Sequence, residues 1–489
     1  MNLPIRMLAG TAPALASSLL GLLASCVVVG SEHTPPEPEL ATEWREPRTA
    51  GLENGSEELA RWWEKLGDPL LASLVERSIS DSLEIREALL RVEEARALRG
   101  VARADLYPAL SGRAVYERQS PSDNTPTGAF IPSSSFYTAA LDASWEIDLW
   151  GRVRRSIEAA GAELEGSIED ARAVAVSIAA ETALAYVELR AFQRRLDIAR
   201  TNLSLQEQTL ALVRTRFEAG LVTERDVAQA STNVETTRSF LPELEIGHRA
   251  AENRLAVLLG RSPGALQQEL AAALPIPRPP LAIAVGVPAD LLRRRADLRR
   301  AERALAAEVA RVGVAEGDLL PRLALLGSLG LSTTNSGTFF EDDSAFYSIG
   351  PSLRWSLFEG GRLKNRLRAQ EARAEQAFVA WERTLLTALE EAENAMTSFV
   401  RGQDRRAALE AAATQAKLAV ELAKTQYEEG LSDFQTVLDS ERALAALEDE
   451  LARSDAAITL SAIALYRALG GGFEKGPIHE RILQVATED

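Results

Sequence analysis

From position 137 onward, Tyr137, Ala139, Leu141, Ala143, Trp145, Ile147 and Leu149 alternate with Thr138, Ala140, Asp142, Ser144, Glu146 and Asp148. A period of two predicts a strand over 137–149 with one apolar side. The pattern returns over 347–357, where Tyr347, Ile349, Pro351, Leu353, Trp355 and Leu357 alternate with Ser348, Gly350, Ser352, Arg354 and Ser356. Partner strands are expected at about 109–119 and 322–333, each led in by Asp-Leu-X-Pro, at Asp105 to Pro108 and at Asp318 to Pro321. Polar loops 120–134 and 334–345 would join the strands of each pair.

After each strand pair the period changes to that of a helix. Leu189, Leu196, Leu203, Leu210 and Phe217 recur every seventh residue, with Phe192, Ala199 and Val213 three positions on, a coiled-coil seam. In the later stretch an alanine stripe, Ala412, Ala416, Ala419 and Ala423, suggests closer packing. Proline blocks a helix interior, and from 133 to 262 the only proline is Pro242, while 352 to 476 has none. A helix over about 152–218 would run roughly 100 Å. It would stop at Gly220 in a left-handed cap and return to about Gly260, with Pro242 kinking or splitting the return helix; Gly430 repeats the stop.

These similarities keep a constant register. Phe136-Tyr137 recurs as Phe346-Tyr347, Trp145 as Trp355, Gly151-Arg152 as Gly361-Arg362, Gly220-Leu221 as Gly430-Leu431 and Gly260 as Gly470, each pair 210 positions apart. The chain is therefore a duplication: a first repeat over 61–262 and a second over 288–475, each with a helix, two strands and a long helical hairpin. Residues 263–287, rich in proline, read as a linker, and 476–489 as a C-terminal tail.

Four amphipathic strands pose a problem. Packed on helices they would form the half-buried sheet of a soluble α+β protein. Their length and continuous apolar faces fit a lipid-facing barrel better. Four strands cannot close a barrel alone, because an open edge in lipid leaves backbone groups unpaired, so the barrel must be shared between chains.

The amino terminus adds a location. Residues 7–25 are uncharged and mostly apolar or small, and they lead to the only cysteine, Cys26. That is the shape of a signal peptide over 1–25. Leu23-Ala24-Ser25-Cys26 resembles the bacterial lipobox, which implies diacylglyceryl and N-acyl lipid on Cys26; a short membrane helix is the competing reading. Val27 stands where an inner-membrane retention aspartate would be, so outer-membrane delivery is expected. Residues 26–60, with Pro35, Pro36, Pro38 and Pro47, read as an extended, acylated tether.

Composition narrows the chemistry. The 489 residues carry a net charge of −17, which argues against nucleic acid as a partner. Three histidines, three methionines and one cysteine supply metal or acid–base clusters poorly. No phosphate-cradling loop, nucleophile elbow, zinc-protease helix or Cys-X-X-Cys occurs, so an enzyme is not expected. Glu341-Asp342-Asp343 reads as solvated loop surface rather than a calcium site.

The duplication, Trp62-Trp63 with Gly67-Asp68-Pro69-Leu70, the segment Leu258 to Gly264, and Val287-Pro288-Ala289-Asp290-Leu291-Leu292-Arg293-Arg294-Arg295 with Asp297 together resemble the TolC-like outer membrane factor family, in its lipoprotein multidrug-efflux branch. Ala296 replaces the usual proline of the last motif, a departure at a helix start. The resemblance implies a mainly α chain with a membrane β-barrel: a homotrimer in which three chains of four strands complete a 12-stranded barrel above a long coiled-coil α-barrel. It also implies a passive exit duct in the outer membrane, in contact with its lipid. An inner-membrane pump of the resistance-nodulation-division type would be joined to it through a periplasmic adaptor.

By the same resemblance, Gly220-Leu221 and Gly430-Leu431 are adaptor-docking tips, and Tyr427, Asp226 and Asp439 match a periplasmic gate. Ser432 and Thr436 replace two members of the family's latch, so Arg442, three residues after Asp439, is the alternative partner. Tyr427 and Asp226 are expected to share a phenol–carboxylate hydrogen bond. Two other functions share these features: a type I secretion channel, and a lipid-anchored coiled-coil scaffold without a pore.

Overall fold

The computed structural model describes residues 28–46, 51–53, 59–122, 124–126, 128–471, 480–482 and 484. The described residues of Met1–Pro36, Glu94–Gly166 and Ala301–Trp381 form one compact unit, and those of Glu37–Glu93, Ser167–Arg300 and Glu382–Asp489 a second. In chain order the elements are β1 (Leu52–Glu53), α1 (Pro69–Asp81), α2 (Leu83–Ala104), β2 (Ala109–Gln119), β3 (Ser134–Ile147), α3 (Arg152–Glu218), α4 (Glu224–Leu258), α5 (Gln267–Leu270), β4 (Ile283–Ala284), α6 (Asp290–Arg294), α7 (Ala296–Gly317), β5 (Arg322–Thr333), β6 (Ala345–Arg354), α8 (Arg362–Glu428) and α9 (Phe434–Ala468).

The first unit holds a four-stranded antiparallel sheet in the order β2-β3-β5-β6. Its register sorts the side chains by face. Leu110, Gly112, Ala114 and Tyr116 of β2 pair with Ala143, Leu141, Ala139 and Tyr137 of β3. Leu141, Trp145 and Ile147 pair in turn with Leu329, Leu325 and Leu323 of β5, and Leu329 and Leu323 with Tyr347 and Leu353 of β6. One face is therefore apolar across all four strands. The other carries Arg113, Asp142 and Ser328, where Asp142 accepts from Ser328 Oγ at 2.7 Å and Arg113 Nε at 3.2 Å. The indole N–H groups of Trp145, Trp150 and Trp355 each donate to a backbone carbonyl at one end of the sheet, Leu106, Pro321 and Leu319.

Strands β2 and β5 run over the expected residues, whereas β3 and β6 begin and end two or three residues early. The alternation persists beyond each strand although the ladder has stopped, because the backbone turns there: Leu149 N–H bonds to Ile147 O and Leu357 N–H to Trp355 O. Asp148 then caps α3, accepting from the amides of Val153 and Arg154 at 3.1 and 3.0 Å. Ser356, placed on the polar face by its alternation, lies outside β6.

In the second unit Asp68 caps α1 with Pro69 at the first position, accepting from Leu70 N and Leu71 N. Its other carboxylate oxygen accepts from Tyr186 Oη at 2.7 Å. Burial and the adjacent Asp68 push the Tyr186 phenol up, so it holds its proton. Trp62 stacks on Tyr466, with ring centroids 5.4 Å apart. Arg295, nearly buried, pairs with Asp297 at 2.6 Å and Glu391 at 2.8 Å, and the departure Ala296 is the first residue of α7.

Four readings gain structural detail. The proline-rich linker 263–287 is packed: Leu266, Leu270 and Val285 are buried, and β4 pairs in parallel with β1. Apolar side chains between its prolines supply the burial that composition alone conceals. The expected tether is fastened: Arg155 donates to Val29 O and Gly30 O at 2.8 Å, and His33 lies 2.6 Å from Glu302. Helix α4 runs unbroken through Pro242, which is exposed, so the carbonyl it leaves unpaired faces water, while Val234 and Leu244 anchor the helix on either side. Lastly, Ile482 in the expected tail is fully buried.

Candidate functional site

The residues that the resemblance marks as tips and gate lie on the two long helical hairpins, in the second unit. Each long helix ends where a glycine takes the left-handed region, Gly220 at φ 73° and Gly430 at φ 75°. The following leucine closes a six-to-one bond, Leu221 N–H to Arg216 O at 2.9 Å and Leu431 N–H to Gln426 O at 2.8 Å. No atom would crowd a Cβ at either glycine, so backbone conformation alone demands them. The turns leave Leu221 and Leu431 about three-quarters exposed at the tips.

Behind the turns lies a small shared core. Leu210, Val213, Ala230 and Val234 of the first hairpin meet Ala423, Tyr427, Phe434, Val437 and Leu438 of the second. The first-copy seam holds through Leu189, Leu196, Leu210 and Val213, but Phe217 emerges 43% exposed. In the second copy the buried seam is Ala413, Val420 and Tyr427 with Ala423, and Ala419 of the expected alanine stripe is exposed. Alanine fits either side of a helix, so its positions located the stripe poorly; the seven-residue spacing carried over from the first copy finds it.

The gate residues do not make the expected contacts within the chain. Asp226 is spent on its own helix, accepting from Thr223 N at 2.9 Å and Thr223 Oγ1 at 2.8 Å. Tyr427, 5% exposed, has a hydroxyl with no hydrogen-bond partner among the described residues, so the Tyr427–Asp226 bond is not formed. Arg442 Nε donates across the helices to Asn233 Oδ1 at 3.1 Å rather than pairing with Asp439. Asp439 is exposed and accepts from Gln435 Nε2 at 2.9 Å.

The missed residue is Arg216. Its guanidinium donates to Tyr427 O and Glu428 O, both at 2.7 Å, and lies 4.5 Å above the Tyr427 ring. Burial pushes the Tyr427 phenol up, against the opposing pull of this cation. A basic residue in the last turn of a helix signals a carbonyl-binding role, but sequence does not say which helix end it serves. Cys26 lies outside the described residues.

The described residues contain no helix apolar enough to cross a membrane, which says nothing of strands. They contain no group of side chains suited to a metal ion. The model of the family described as outer membrane efflux protein matches residues 74–261 and 287–471. The chain belongs to that family. It is 30% identical to nodulation protein T of Rhizobium leguminosarum bv. trifolii, over 92% of this chain and 96% of that protein. It is 31% identical to the pyoverdine export outer membrane protein OpmQ of Pseudomonas aeruginosa, over 93% and 97%. Among solved structures, the outer-membrane channel OprN shares 34% identity at a TM-score of 0.85, covering 91% of this chain and 99% of that one. The open state of the Neisseria gonorrhoeae MtrE outer membrane channel shares 26% at 0.78, covering 91% and 98%. The fold is that of the TolC-like outer membrane channels, and this efflux protein is an outer-membrane channel.

Proposed function

We propose that three copies of this channel close one 12-stranded barrel and act as the passive exit duct of a tripartite efflux system. The observation that carries the reading is the sheet. Its apolar face is continuous, and its outermost strands, β2 of 11 residues and β6 of 10, have no neighbour on their outer edges among the described residues. Each backbone group left unpaired in hydrocarbon costs several kcal/mol, a penalty that edge-to-edge closure with further copies removes. Lipid on Cys26 would add a second hold on the outer membrane. A periplasmic adaptor would dock on Leu221 and Leu431, and an inner-membrane pump of the resistance-nodulation-division type would supply the drive, since the chain has no energy-transducing motif.

The experiment is to measure heat-modifiable trimers and single-channel conductance of the purified lipoprotein in planar bilayers. Leu141→Asp, on the apolar face at the middle of β3, should cost somewhat less than the roughly 2–4 kcal/mol of an arginine or lysine at mid-membrane and lower trimer yield, whereas Ser352→Asp on the polar face should be tolerated. Equal yields, with no conductance in the parent, would favour a poreless scaffold. Palmitate labelling that survives in Cys26→Ser would remove the lipid anchor from the proposal.

A further inference from the structure

Beyond their shared core, the ends of the two hairpins are joined by an asymmetric polar contact, and it involves none of the residues that the family resemblance singles out except Tyr427. Arg216, in the last turn of α3, reaches the carboxyl-terminal end of α8. The last carbonyls of a helix have no intrahelical donors, and the helix end carries partial negative charge. The guanidinium takes two successive carbonyls there, those of Tyr427 and Glu428, at 2.7 Å each. Its planar fork suits two acceptors at once, and its face lies on the Tyr427 ring at 4.5 Å. Tyr427 in turn packs on Phe434 in the shared core, ring centroids 5.7 Å apart. The duplication offers no return contact: Gln426 stands where the second copy would need Arg216, and the counterpart of Tyr427 is the part-exposed Phe217.

We propose that Arg216 is the positioning residue that holds the second hairpin tip at a fixed place on the first, so that Leu221 and Leu431 are presented as one rigid docking pair. Loss of the clamp loosens the end of the second tip, because other polar bonds between the hairpins, such as Thr209 to Glu441 and Arg442 to Asn233, lie further along the helices. The inference rests on the exit-duct reading for its consequence, but the clamp itself can be measured without it.

The test is the distance distribution between spin labels at Glu218→Cys and Glu429→Cys, on the exposed sides of the two helix ends, in full-length trimers carrying Cys26→Ser in which the labelled chain is diluted with unlabelled chains. The expected result is one narrow distance in the parent, a clearly broadened or displaced distribution in Arg216→Ala, and partial recovery in Arg216→Lys, whose ammonium cannot bridge two carbonyls and stack at once. Tyr427→Phe should leave the distribution unchanged, since it keeps the ring and loses a hydroxyl that has no hydrogen-bond partner among the described residues. If Arg216→Ala yields no trimers, Arg216→Gln and Tyr427→Leu take its place, each removing one half of the contact. A distribution as narrow and as centred in these variants as in the parent overturns the clamp. Bilayer recordings of the same proteins separate the two readings. Open-channel noise raised only in the broadened variants supports the clamp, whereas a parent that passes no current, with the distances behaving as expected, sinks the duct and leaves the clamp standing.

Discussion

The two hairpin tips have the same backbone and different chemistry. Gly220 and Gly430 differ by two degrees in φ, and both leucines close the same six-to-one bond. The caps of the helices that follow, 210 positions apart, exchange their residue types: Thr223 with Asp226 in the first tip, Asp433 with Thr436 in the second. A hydroxyl and a carboxylate three residues apart satisfy a helix amino terminus in either order, which is why duplication could drift here without cost. The flanks drifted further. Phe217 is partly in solvent while Tyr427 is in the core, and Asp439 has Gln229 as its counterpart. A turn set by φ tolerates little variation; the side chains around it are free to become a donor tip and an acceptor tip.

The largest expected break in that comparison is truncation of the aromatic pair. Tyr427→Ala removes a ring from the shared core and should cost about 3–5 kcal/mol. Phe217→Ala, at 43% exposure, should cost about 1–2 kcal/mol. Denaturant unfolding of detergent-solubilised trimers measures both, and equal losses would mean that Phe217 is covered in the assembled channel.

A smaller and symmetric effect is expected at the turns. Valine in the left-handed region costs roughly 1–2 kcal/mol, so Gly220→Val and Gly430→Val should lower thermal stability alike. The open space around both glycines leaves no second cause to separate them. A markedly greater loss at one tip would show that its turn carries an assembly contact.

Much of this was legible in the sequence, for identifiable reasons. The long helices were set by where proline is absent and where glycine must stop them, and α3 spans the residues that pattern gave. The membrane face was set by a period of two that the register carries across all four strands. The gate contacts were not legible. Asp226, Arg442 and Asp439 each have several acceptors or donors within one helical turn or across one helix pair, and spacing along the chain cannot rank them. Asp226 went to its own cap and Arg442 to Asn233. The Arg216 clamp was invisible because its partners are backbone carbonyls, which every residue possesses.

Asp439 turns the comparison into a measurement of selectivity. It makes no ion pair among the described residues, and its first-tip counterpart, Gln229, is neutral. Three copies around a common axis would attract cations by the logic of carboxylate rings. Asp439→Ala should lower cation selectivity in bilayer reversal potentials, with Gln229→Ala without effect. Unchanged reversal potentials in Asp439→Ala would return it to ordinary helix surface.

The smallest effect concerns the exchanged caps. The Asp433 carboxylate accepts from Thr436 Oγ1 at 2.8 Å and Thr436 N at 3.0 Å, and these bonds hold it below the usual carboxylate range. A folded-state value below the unfolded one, about 3.9, means that the unfolded chain takes up the proton first as pH falls. The charged cap therefore contributes its full stabilisation above the unfolded value and loses it as pH drops through the folded one. Asp433→Thr gives the second tip the cap residue of the first, and a threonine hydroxyl has no proton to gain in this range. The difference in thermal midpoint between parent and Asp433→Thr should be constant from about pH 5 to 7 and should shift against the parent below about pH 4. The cap is exposed to solvent, so the shift will be slight and weaker in high salt. A difference that stays flat down to pH 3 would mean that the hydroxyl bears the second cap as it does the first, and that exchanging the two residues changed nothing but their order.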